Sequence, residues 1–233
     1  MVKLTGFLAA LMTTAFAPAL AAEDPVWSKD EEIAIARSAG PVSVSADASV
    51  WVLGEAGYEI AVEGTNGFNC LVMRRWGAAF DLQRDLFETP GSVVAPICYD
   101  PKASGAPMKE QFLRAELGVE GKSHDQVRDA VMGAYDKGEI APVDGVAFAY
   151  MYSAAQRLGE GIGAWHPHVM VYAPGYTNEM LGGASIARGD PIVAEAPGSA
   201  RTIIAIPVNG RDGHIAPHSA LDGKSRSLSP RQY

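Results

Sequence analysis

The chain has 233 residues, 48% of them apolar and 20% charged, with a formal net charge of −8. That balance excludes an intrinsically disordered polyelectrolyte. The acidic charge, with no basic stripe, also makes nucleic acid and an anionic membrane surface poor partners.

Residues 1–22 read MVKLTGFLAALMTTAFAPALAA. Lys3 supplies a positive start, Leu4 to Phe16 an apolar run, and Pro18 a break before Ala19-Leu20-Ala21. This is the pattern of a cleavable secretory signal peptide over 1–21, and it implies a periplasmic or secreted protein. The run is shorter than the roughly 20 apolar residues a bilayer span needs, and basic residues do not follow it. The cleavage region carries no cysteine for a lipid anchor. Removing 21 of the 233 residues leaves 212, enough for one sizeable core. The mature charge, without Lys3, is −9. A single domain is expected over 22–220, without a membrane span, and the Ser/Pro/Lys/Arg-rich 221–233 reads as a mobile tail.

Ser28-Lys29-Asp30-Glu31 is a capping box, so a helix is expected from about 29 to 38, ended by Gly40-Pro41. Strand patterns follow at Val42–Val44, Val50–Leu53, Tyr58–Val62 and Asn69–Met73, the last three separated by glycine-bearing turns. They suggest an antiparallel meander. Residues 92–98 continue as another strand, and 99–106 as a loop. A helical pair comes next, Pro107 to Leu117 with Gly118 as its stop, then Ser123 to Lys137 behind a second capping box. Strands return at Val146–Tyr152, Val169–Ala173, Pro191–Ala194 and Thr202–Val208. Strands, two helices, then strands, with no βαβ alternation, give an α+β fold with a mostly antiparallel sheet and the helical pair inserted near 107–138.

Cys70 and Cys98 are the two cysteines. In an oxidising compartment they pair most simply as one disulfide, which would staple 92–98 to the meander; two free buried thiols are the alternative. Their spacing is not C-x-x-C, so a thioredoxin-like role has no support.

Several chemical motifs are approached and missed. Gly118–Ser123 lacks the spacing of a phosphate loop and joins helix to helix. Gly159–Gly163 is glycine-rich without the dinucleotide spacing. Gly183-Ala184-Ser185-Ile186-Ala187 has alanine where a nucleophile elbow needs glycine. Arg74-Arg75-Trp76 fits either a bidentate carboxylate grip or arginines solvated at a strand end.

Four of the five histidines fall in two close pairs, His166/His168 and His214/His218. In an extended segment residues two apart point to one side, so His166 and His168 can act together. All four nitrogens would suit Zn²⁺ or Cu²⁺; the alternative is plain hydrogen-bonded or solvated histidines. His168, Met170 and Tyr172 also share one strand face, with Trp165 before and Tyr176 after, and Val169, Val171 and Ala173 take the other face, toward the core. The first face could line a small-molecule cleft, with His168, Tyr172 and Trp165 as contacts, or pack against a second layer.

GFNCLVMR, APICYD and WHPHVMVYAP together resemble segments of a group of uncharacterised exported bacterial proteins, with Cys70, Cys98 and His168 at the matching positions. The resemblance spans roughly residues 30–210 and implies element order and compartment, not a reaction. The function expected is binding of a small ligand or metal. An exported hydrolase with His168 as acid/base, or an envelope interaction module, are the competing classes.

Overall fold

The computed structural model describes residues 24–80, 84–159, 167–183 and 189–208. The signal-peptide segment, the 221–233 tail, Trp165, His166, His214 and His218 lie outside these residues, as does most of the 159–163 glycine stretch.

Helix α1 (Lys29–Arg37) starts as its sequence dictates, with Ser28 Oγ accepting from Glu31 N and the Glu31 carboxylate accepting from Ser28 N at 2.9 Å. Val42–Ser45 is not the strand its alternation suggests. It is a single helical turn, α2, opened by Pro41 and held by the Asn66 amide donating to Val44 O at 2.7 Å. Proline's fixed φ starts the turn, and four residues are too few for alternation to decide a conformation.

Strands β1 (Ser49–Gly54) and β2 (Gly57–Val62) form the expected hairpin. β3 (Asn69–Met73) departs from a meander, pairing parallel to β1 with Val50 opposite Cys70. Residues 63–68 cross beneath β1 to reach its other side, hydrogen-bonded through Ser49 N to Phe68 O and Thr65 N to Asp47 O. Gly64 permits the crossing: a Cβ there would overlap the backbone of Ala48 and Ser49.

The short helix α3 (Arg84–Glu88) precedes β4 (Val93–Tyr99), every residue of which is buried. Helices α4 (Pro107–Val119) and α5 (His124–Asp136) form the predicted pair. Gly118 does not stop α4; it lies inside the helix where the Trp76 indole occupies the space a Cβ would need. Then follow β5 (Ala147–Met151), β6 (Arg157–Leu158), β7 (His168–Tyr172), β8 (Ile192–Glu195) and β9 (Ile203–Pro207).

The nine strands form one mostly antiparallel sheet in the order β2-β1-β3-β4-β5-β7-β9-β8, with β6 pairing the start of β4 beyond the end of β5. The fold is α+β. Against one sheet face α1 packs, burying Val50, Cys70, Val72, Val94 and Cys98 with Ala36 and Ala39. Cys70 and Cys98 are cross-strand partners joined by a disulfide, with Cα atoms 4.0 Å apart. The opposite face buries Leu71, Met73, Ala95, Ile97, Tyr99, Ala147, Ala149 and Met151 beneath α4, whose Phe112 ring sits 4.9 Å from Trp51 and 5.4 Å from Tyr58. Among the described residues no helix is long and apolar enough to cross a membrane.

Candidate functional site

The sheet face that α4 packs against also borders a cavity. Cross-strand register puts Met73, Ala95, Met151, His168, Met170 and Ala205 on it together, since Met73 pairs Ala95, Met151 pairs His168 and Met170 pairs Ala205. Most of these side chains are small or unbranched, so they leave space. A cavity of about 200 Å³ opens among them, closed further by Val93, Leu158, Ile192 and Ala78. An apolar cavity of about 150 Å³ already holds a benzene ring, so the volume fits a compact molecule of one ring or its equivalent.

Three polar side chains reach this cavity: Gln156, His168 and Glu195. His168 begins β7, is 3% exposed, and is gripped on both sides by pairing with Met151 and Pro207. Gln156 is 1% exposed and stands just before β6. Its backbone N–H donates to Ser153 O, while Arg157 and Leu158 pair with Val94 and Val93, so the chain is pinned on both sides of it. Its Oε1 is buried without a hydrogen-bond partner. Leaving such a group unsatisfied costs about 1–3 kcal/mol, and native proteins keep few of them.

Glu195 reaches the same face through an irregularity. Ile192 pairs Ala205 and Val193 pairs Ile204, but a β-bulge then brings Glu195, not Ala194, opposite Ile203. Strict alternation would have turned Glu195 to the α1 side; the extra residue re-aims it. The next residue, Ala196, has φ +50°, the one non-glycine among the described residues with positive φ. Its carbonyl accepts from Ser199 Oγ and Thr202 Oγ1, both at 2.8 Å, which locks this left-handed turn.

Behind the cavity Glu195 joins a buried cluster of two acids and two arginines. Its Oε1 accepts from Arg114 Nη2 at 2.9 Å and Arg201 Nη2 at 2.8 Å. Glu110 Oε1 accepts from Arg114 Nε at 2.8 Å and Arg201 Nη2 at 2.6 Å, and its Oε2 from Arg201 Nε and Tyr135 Oη, both at 3.0 Å. Arg114 also donates to Trp76 O and Ala78 O, with its guanidinium 3.8 Å from the Phe80 ring centre. The charges balance. Burial pushes the Glu110 carboxyl up, but Arg114 and Arg201 outweigh it and hold it down at about 2. Burial, then Glu110, raises the Tyr135 hydroxyl.

A smaller cavity of about 40 Å³, room for little more than a water, lies between this cluster and Tyr99 and Tyr172, and shares Met73, Gly77, Met170 and Glu195 with the larger one. Burial raises both tyrosine hydroxyls far above their ordinary range, so both remain protonated donors.

Of the residues singled out by sequence, His168 lines the larger cavity and Tyr172 the smaller. Both faces of β7 are packed: Val171 and Ala173 join a cluster with Val193 and Ile204 as expected, while His168 and Tyr172 on the polar-aromatic face are more deeply buried than Val169 and Val171. Trp165 falls outside the described residues. So do His166, His214 and His218, leaving His168 as the sole described member of the four-histidine metal set. Among the described residues no group of three or more His, Cys, Asp and Glu is arranged to hold a metal ion. Arg74 and Arg75 are neither solvated nor paired toward a ligand: Arg74 is buried against Glu32 at 2.9 Å and over Trp27, and Arg75 pairs with Asp24 at 2.9 Å.

Sequence reading missed Gln156, Glu195 and the Glu110–Arg114–Arg201 cluster. Only Glu110 and Arg114 left a local signal, their i, i+4 spacing on one helix. Their partners come from residues 81 and 91 positions away, and a bulge is invisible in a four-residue strand. No protein-family model, curated protein or solved structure matches the chain.

Proposed function

We propose that the protein binds a small, largely apolar molecule in the cavity between the sheet and residues 77–79, and that it works outside the cytoplasm. The cavity carries the reading: about 200 Å³, apolar walls, and polar groups converging from the residue before β6, from β7 and from β8. Ligand sites have this composition, whereas plain packing would have filled the space. The Cys70–Cys98 disulfide and the leader-like residues 1–21 support the compartment.

Methionines make the binding claim testable. Met73, Met151 and Met170 line the cavity, while Met132 and Met180 are exposed elsewhere. Titrating toluene into methyl-labelled protein is expected to shift the first three methyl resonances and leave the other two in place. Unmoved resonances at saturating toluene would remove the reading. Export is tested separately by intact mass of the protein from its native host, where Met1 still attached would count against it.

A further inference from the structure

The polar lining is specific enough to say what the bound molecule carries. We propose that the ligand presents a hydrogen-bond donor, a hydroxyl or N–H, to Gln156 Oε1, and that it is not an anion. The proposal rests on the cavity-binding reading above and adds the chemistry of recognition.

Gln156 lines the cavity, and its Oε1, a pure acceptor, is buried without a hydrogen-bond partner. The Ser153 turn and the β6–β4 pairing fix the backbone on both sides of the residue, and the side chain is 1% exposed. A donor entering the cavity satisfies this oxygen; an alkyl or acceptor group leaves it stranded. Glu195 adds a sign. The bulge delivers its carboxylate to the same lining, and the Arg114 and Arg201 groups that balance it sit behind it, on the cluster side. An anionic ligand would meet this carboxylate before it met either guanidinium.

Three single-ring probes separate the terms: toluene and phenol, which match in size, and the slightly larger anion benzoate, titrated against the same methionine methyl resonances. Transfer from water favours toluene, because phenol must shed hydration from its hydroxyl. With a waiting acceptor the order inverts, and phenol is expected to bind about tenfold more tightly than toluene, with benzoate weakest. In Gln156→Leu, similar in size and lacking the acceptor, toluene is expected to bind at least as well as phenol.

Toluene binding as tightly as phenol in the unmodified protein, or benzoate binding more tightly than phenol, would overturn the donor assignment and leave the cavity reading standing. So would a phenol preference that survives Gln156→Leu. Failure of all three probes to move the methionine resonances would end the cavity reading and this inference with it. The ranking in the unmodified protein decides the matter even where the variant does not fold.

Discussion

The two faces of the sheet differ in how their space is filled, although each carries buried charge, Glu32 with Arg74 beside α1 and the Glu110–Arg114–Glu195–Arg201 cluster on the other side. Toward α1 the side chains of Val50, Cys70, Val72 and Cys98 are fully buried against Ala36 and Ala39, and a disulfide ties β3 to β4. On the other face the same strands, joined by β7, β8 and β9, border a cavity of about 200 Å³ and a largely buried charged cluster. Close packing is what a scaffold needs; volume and buried polarity lower stability unless something else requires them. The difference in filled space is what the proposed binding in the cavity requires, and the α1 face offers no such space among its fully buried side chains.

Breaking the charged cluster is expected to cost most. Arg114→Met would leave Glu110 and Glu195 sharing Arg201 alone, and removing one partner of a buried ion group typically costs about 3–5 kcal/mol. For a chain of this length that lowers the melting temperature by on the order of 10 °C. A loss of only a degree or two would mean that water reaches the cluster, and that the α4 face is more open than its burial implies.

The disulfide comes next, and it tests the other face. Replacing both Cys70 and Cys98 by alanine opens a crosslink between positions 28 apart in sequence, with an expected loss of about 3 kcal/mol in the chain-entropy account. Denaturant midpoints of the two forms measure it. Because the staple lies on the α1 side, toluene affinity in the cavity is expected to stay within about twofold. A collapse of binding would show that the two faces are not independent.

Acid titration gives a smaller effect over any one pH unit, at most about 1.4 kcal/mol for one group. The Glu110 carboxyl titrates at about 2 in the folded protein against an ordinary 4.5. A carboxyl lowered by folding contributes fully above its unfolded value and loses that contribution as pH falls. Stability is therefore expected to decline from about pH 4.5 down to about 2, and Glu110→Gln should flatten the curve in that window. An unchanged slope in the variant would place the acid sensitivity elsewhere.

How much of this was written in the sequence follows from the range of the interactions. Capping boxes at Ser28 and Ser123, the β1–β2 turn and the Cys70–Cys98 pairing depend on near neighbours or on compartment, and each was legible. β7 was recognised as a strand carrying a histidine-tyrosine face, but which side would be buried more deeply was not, because both sides are apolar enough to serve. Gly118 read as a stop because local rules make glycine one. Only the packed Trp76 ring, 42 residues earlier in the chain, explains why α4 continues through it. Gln156, Glu195 and Arg201 come together only through β6 pairing, a bulge and the turn over 196–202, and none of these leaves a pattern in a two- to five-residue strand.

The finest comparison uses one substitution on both faces. Ala36 of α1 and Ala205 of β9 are 0% and 1% exposed, so burial alone does not distinguish them. Their surroundings do: Ala36 is wedged against Cys98, whose sulfur lies 3.7 Å from its carbonyl oxygen, whereas Ala205 borders the cavity. Ala36→Leu must push neighbours aside and is expected to cost about 1–3 kcal/mol. Ala205→Leu places its added carbons in existing space, and filling a cavity commonly gains about 0.5–2 kcal/mol. The same change should also expel toluene. Opposite signs in the two melting temperatures, with binding lost only in Ala205→Leu, are the expected outcome. Equal losses would mean that both faces are packed alike and that the cavity bordered by Ala205 is not a binding site.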